Sequence, residues 1–110
     1  MKQPKPYLRN ILSGVDAIES YKPGSEAAFT KDAKSQDAIL MRLQDIGENL
    51  STLRDMFPDF WSENATEEWE KAIGLRNIIS HGYGEINLAI IWVLITKNLP
   101  SFKQSIQRLL

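Results

Sequence analysis

The chain has 110 residues, 43% of them hydrophobic and 25% charged, which is the size and make-up of a single globular domain over 1–110 and excludes a disordered chain. It contains no cysteine, which excludes a disulfide framework and thiolate chemistry. Its net charge of −1 excludes a protein that grips nucleic acid by bulk positive charge, so any RNA contact needs a local basic cluster or an assembled oligomer.

The first residues are basic and carry Pro4 and Pro6, but they lead into no apolar secretory core. Tyr7, Leu8, Ile11, Leu12, Val15 and Ile18 follow a three-four rhythm, which predicts a helix over 7–21, ended by Pro23-Gly24. A short connector with Phe29 as its anchor follows. Ile39, Leu43, Ile46, Leu50 and Leu53 alternate steps of four and three, predicting a second helix over 32–55. Gly47 lies beside that stripe, where glycine costs up to about 1 kcal/mol relative to alanine; close approach of another helix is a reason to keep it there.

The stretch 56–66 is expected to be a loop anchored by Phe57, Phe60 and Trp61, with Asn64 and Glu67 as a capping pair for the next helix. That third helix is expected over 65–80, with Trp69, Ile73 and Ile79 facing inward. A fourth, over 85–97, is apolar nearly all round and is expected to be the most buried element. Its apolar run, 88–95, is eight residues long, far short of the roughly 20 that span a bilayer. Asn98 is expected to cap a last helix carrying Pro100 in its first turn and Leu99, Phe102, Ile106 and Leu109 on one side. The sum is an all-α fold, an up-down bundle of four long helices plus a short one, in a soluble, cytoplasmic protein.

The chemistry concentrates at the end of the third helix. His81 is the only histidine in the chain. Arg76 lies five residues before it, and Tyr83 two residues after. On an unbroken helix five residues turn through about 500°, leaving the two side chains roughly 140° apart. If the helix ends near Ser80 and Gly82 lets the chain turn, they can converge. A fixed cation and an imidazole suit RNA cleavage, in which the 2′-hydroxyl attacks the adjacent phosphorus without an external nucleophile or a metal. Imidazole as a group exchanges protons near neutrality. A guanidinium can hold two phosphate oxygens and oppose the extra negative charge of the transition state. Cleavage wants both a base and an acid, and one chain supplies one histidine, so a composite site in a symmetric homodimer is the preferred arrangement. The structural alternative is that Arg76 pairs with a nearby glutamate and His81 sits at a helix C-terminus, where a partly charged imidazole is favoured. No glycine-rich phosphate loop, HExxH or cysteine cluster competes for the assignment.

Arg76-Asn77, three residues, then His81-Gly82-Tyr83 resembles the R-x4-H-x-Y motif of HepT-like toxins in the HEPN superfamily. The resemblance covers nearly the whole chain: 7–12 is similar to the opening helix, Phe29, Asp32, Gln36-Asp37-Ala38 and Ile46-Gly47-Glu48 to the second, and Trp69 and Gly74-Leu75 to the approach to the motif. Ile91-Trp92 and Asn98-Leu99-Pro100 are similar to the closing helices. The resemblance implies a HEPN fold, a homodimer with the motif at its interface, and metal-independent endoribonuclease activity without a cofactor. It implies catalytic roles for Arg76 and His81, supported by Asn77, and the role of toxin in a type II toxin-antitoxin system. It also implies a cognate antitoxin, a minimal nucleotidyltransferase that can assemble with the toxin into a larger hetero-oligomer and transfer AMP from ATP to Tyr83. The segment 57–68 is longer than the family's usual connection. A non-catalytic helical module that binds a nucleotide or a partner is the alternative function.

Overall fold

The computed structural model describes residues 3–110, apart from the side chain of Tyr83. Among them every element is helical. Helix α1, Pro4–Tyr21, begins three residues before the expected start, because Pro4 and Pro6 fall in its first turn, where an N–H would have no partner and the fixed φ of proline already suits a helix. It ends with the Lys22 N–H bonded to the Ile18 carbonyl at 2.9 Å. The connector forms helix α2, Glu26–Lys31, capped by Ser25, whose Oγ accepts from the Ala28 N–H at 3.1 Å. Phe29 anchors it in the core, fully buried.

Helix α3, Ala33–Met56, is capped by Asp32, which accepts from the Ser35 N–H at 3.2 Å and the Ser35 hydroxyl at 2.6 Å. The Ser35 hydroxyl is the main cause, and its N–H the next, that holds the Asp32 carboxyl below the ordinary carboxylate range. Its pKa is therefore lower folded than unfolded. The stability it contributes is present above the unfolded value and is lost as pH falls through the folded one. Asp32→Ala is expected to melt at a lower temperature than the parent at neutral pH, with the gap closing in acid below the carboxylate range. A pH series of thermal melts checks this.

The segment 56–66, expected as a loop, instead forms helix α4, Pro58–Asn64. Pro58 starts it and Asp59 lies in its first turn, both favourable at an N-terminus. Its aromatics anchor it as expected: Phe57, Phe60 and Trp61 pack on the core, Trp61 tilted against Trp69 with ring centres 5.5 Å apart. Asn64 does not cap the next helix, since its amide donates back to the Phe60 carbonyl at 3.0 Å. Thr66 caps it instead, accepting from the Trp69 N–H at 3.4 Å.

That next helix is α5, Glu67–His81, with Glu67, Glu68 and Glu70 at its positive end. Trp69, Ile73 and Ile79 are buried as expected. The Trp69 indole N–H donates to the Ser105 hydroxyl at 2.9 Å, which in turn donates to the Phe102 carbonyl at 2.6 Å, so the largest core side chain is also satisfied.

A single 3₁₀ turn, Tyr83–Glu85, leads to the last part of the chain. Helix α6, Leu88–Val93, is capped by Asn87, accepting from the Ala89 and Ile90 N–H groups at 2.9 and 3.2 Å. It passes without a break in helical backbone through a π-helical turn, Leu94–Asn98, into helix α7, Leu99–Gln107. Asn98, expected as a cap, has helical dihedrals and makes no capping bond. Pro100 has no N–H to give, and the looser π turn before it absorbs that gap without ending the helix. The apolar run is not the most buried element. Ile91 and Ile95 are in the core, while Ile90 and Val93 are 57% and 46% exposed.

The core joins these elements through Leu8, Ile11, Val15 and Ile18 of α1, the whole predicted stripe of α3, the inner face of α5, and Leu99, Phe102 and Ile106 of α7. Lys103 ties α7 to α1 by ion pairs to Asp16 and Glu19 at 3.1 and 2.8 Å. No helix among the described residues is long and apolar enough to cross a membrane.

Candidate active site

Helices α3 and α5 lie in close contact and run in opposite directions. Gly47 of α3 faces Ala72 and Arg76 of α5, and further along the Gln44 amide donates to the Ser80 hydroxyl at 3.0 Å. The approach at Gly47 is as close as its lack of a side chain permits. A Cβ there would fall on the Cβ of Arg76 and lie 2.9 Å from the Ala72 carbonyl oxygen. Glycine is required at this position by proximity, as its place beside the α3 stripe suggested.

This contact decides where the guanidinium of Arg76 goes. Its stem lies along the bare backbone of α3 and its head reaches the next residue, Glu48, with Nη2 2.5 Å from Oε2. Nη1 donates to the Asn77 side-chain oxygen at 3.0 Å. Nε is buried and has no hydrogen-bond partner among the described residues. Glu48 is the nearby glutamate that the structural reading of Arg76 called for. The sequence placed it only within a pattern on the second helix. The adjoining Gly47 was the signal that could have brought it to the site, because a glycine that admits an arginine stem puts its neighbour beside the arginine head.

His81 is exposed in the last turn of α5. The helix ends near Ser80 as expected, one residue later. It runs through His81, and Gly82 terminates it with its N–H on the Ile78 carbonyl at 2.7 Å. Arg76 and His81 thus stay on one regular helix, roughly 140° apart about its axis, and the anticipated turn that would bring them together within one chain is absent. Asn77 is in contact with Arg76 and, four residues before His81, shares the histidine's face. Ile78 lies on that face too and is 56% exposed, a large apolar side chain left to solvent beside two polar ones. Tyr83 follows in the 3₁₀ turn, and its side chain lies outside the described residues.

A cavity of about 170 Å³ lies between α3, α5, the π turn and α7. Leu43, Ile46, Leu75, Leu94, Leu99 and Phe102 make most of its wall, with Glu68, Lys71 and Asn98 beside them. So apolar a lining does not suit a polyanion.

An up-down all-α bundle that carries Arg-Asn and His along the C-terminal part of one helix, with a close partner helix behind the arginine, defines the class as HEPN-like. A family model described as "Ribonuclease HepT-like" matches residues 11–109, and the chain belongs to that family of ribonucleases. "Putative RNase TTE0752" of Caldanaerobacter subterraneus subsp. tengcongensis is 31% identical, the match covering 100% of this chain and 96% of the relative. "Probable ribonuclease HepT" of Thermococcus cleftensis is 24% identical over 96% of this chain and 94% of its own length. "mRNA nuclease HepT" of Shewanella oneidensis is 28% identical over 76% of this chain and 78% of its own. No solved structure matches the chain at comparable significance.

Proposed function

We propose that this ribonuclease-family chain cleaves RNA without a metal, at a site assembled by two copies of the chain. Arg76 holds the scissile phosphate, His81 moves protons between the 2′-hydroxyl and the leaving 5′-oxygen, and Asn77 steadies Arg76. The observation that carries this reading is the arrangement on α5. Arg76 and His81 sit too far around the helix to act together within one chain, and the histidine's own face carries the exposed Ile78. A second copy that covers this face would protect the isoleucine from water and bring its own arginine to the histidine. Two copies also place two arginines in one cleft, which supplies the local positive charge that a chain of net charge −1 lacks.

In this reading the chain is the toxin of a toxin-antitoxin pair, and its partner is a minimal nucleotidyltransferase. Transfer of AMP from ATP to the Tyr83 phenol, two residues from His81, would put a bulky anion beside the phosphate site and repel RNA. Intact mass of the protein co-produced with such a partner is expected to show one AMP added on the peptide holding Tyr83. The alternative, a non-catalytic helical module, draws on the Arg76–Glu48 pair, which gives the guanidinium a structural partner without any RNA. One assay separates them. Purified, unmodified protein is expected to cut single-stranded RNA in EDTA, leaving 2′,3′-cyclic phosphate ends, and to elute as a dimer. Intact RNA after prolonged incubation would leave only the module.

A further inference from the structure

The guanidinium of Arg76 is constrained on three sides. Gly47 lets the stem lie flat on α3, Asn77 accepts from Nη1, and the Glu48 carboxylate forms an ion pair with Nη2. Nε faces the protein interior, so the side-on edge of the fork, Nε with Nη2, is closed to a ligand. Each terminal nitrogen of a guanidinium has two N–H bonds. Nη1 commits one N–H to Asn77 and Nη2 stands against one oxygen of the Glu48 carboxylate, so N–H bonds remain on both terminal nitrogens. Those two can meet two oxygens of a phosphate end-on.

We infer that Glu48 is a positioning residue for the cleavage reaction: it fixes the roll of the Arg76 guanidinium so that its terminal nitrogens, and not its Nε edge, receive the scissile phosphate. The inference rests on the proposed ribonuclease reading. The ion pair is open to water, with Glu48 side-chain exposure of 56% against 30% for Arg76, and a pair of that kind contributes little to stability. Its geometry, in contrast, determines the direction of a long side chain that has many other rotamers available. A carboxylate this close also offsets part of the arginine's charge, so its net benefit must come through orientation rather than through attraction of RNA.

The test compares three substitutions under saturating and limiting RNA. Glu48→Ala is expected to lower kcat about tenfold with KM within about twofold, the signature of an interaction lost mainly in the transition state. Glu48→Gln keeps an oxygen acceptor at the same reach and is expected to hold kcat to within about threefold of the parent. Glu48→Asp keeps the charge one methylene short and is expected to resemble the alanine variant. All three should melt within a few degrees of the parent, and the glutamine and aspartate variants decide the matter if the alanine variant folds poorly. Cleavage by Glu48→Ala at or above the parent rate would overturn the inference, since the carboxylate would then be inert or a competitor of phosphate. So would glutamine behaving as alanine does, which would mean that charge and not position matters. If the parent protein cuts no RNA, the ribonuclease reading itself fails. If the parent cuts and Arg76→Ala does not, an unaffected Glu48→Ala removes only the role of Glu48.

Discussion

Arg76→Ala and His81→Ala are each expected to reduce RNA cleavage by at least about 100-fold, the usual scale for loss of a proton-transfer group or of a charged transition-state contact. Neither change should unfold the chain, because His81 is exposed and Arg76 contributes an ion pair that is open to water. The two variants together give a sharper result than either alone. If the pair acts across two subunits, a mixed dimer of one Arg76→Ala chain with one His81→Ala chain retains one complete arginine-histidine pair. Half the dimers formed by random re-pairing of equal amounts are mixed, and each of these keeps one of the two cross-subunit arginine-histidine pairs in its cleft, so up to about a quarter of parental activity should return. If the pair acts within a chain, the mixture stays as inactive as its components. The separation of roughly 140° about α5 favours recovery. Kinetics of the mixture after denaturation and refolding together, set against each variant alone, gives the answer.

Gly47→Ala is expected to have the largest effect of any single methyl group on both stability and activity. Two terms oppose one another. Alanine favours the helix by up to about 1 kcal/mol over glycine. The added methyl, however, lands on the Arg76 Cβ and close to the Ala72 carbonyl, and neither is the free end of a flexible side chain. Forcing an extra carbon into such a contact costs about 1–3 kcal/mol, so a net loss on the order of 1 kcal/mol or more is expected, or roughly 4–8 °C in melting temperature for a domain near this size. The same shift moves the stem of Arg76, and a displacement near 1 Å at a catalytic group can cost about 100-fold in rate. Gly74→Ala is the control for stability. It sits on α5 with open space around its missing Cβ, and it should melt at or above the parent temperature. A Gly47→Ala protein with parental melting and cleavage would show that α3 and α5 adjust freely, and would remove the argument that their contact positions Arg76.

The helices and most of the core were legible from spacing. The stripe 39, 43, 46, 50, 53 is a property of a 3.6-residue repeat, and all five residues are buried. Trp69, Ile73 and Ile79 were assigned inward for the same reason. Local capping was harder to read, because several polar residues compete near each helix end and a shift of one or two positions changes the cap. Thr66, and not Asn64, caps α5. The run 88–95 is less buried than its composition suggests, because periodicity reports which residues are apolar and not how many neighbours exist to cover them. Ile90 and Val93 stay exposed since one chain has no further helix to lay over them.

By itself the sequence determined that this is an all-α chain, that its lone histidine stands five residues from an arginine, and that a glycine lies beside the α3 stripe. These are facts of composition and period, and they need no neighbours. Only the tertiary structure decided that α5 continues through His81, so that Arg76 and His81 remain apart on one chain. It alone set Glu48 and Asn77 on the two terminal nitrogens of Arg76, with Gly47 beneath the stem. The reason is physical. Spacing along one helix fixes directions around its own axis, whereas the fate of a long charged side chain depends on which backbone comes close enough to carry its partner, and that is set by the packing of two helices.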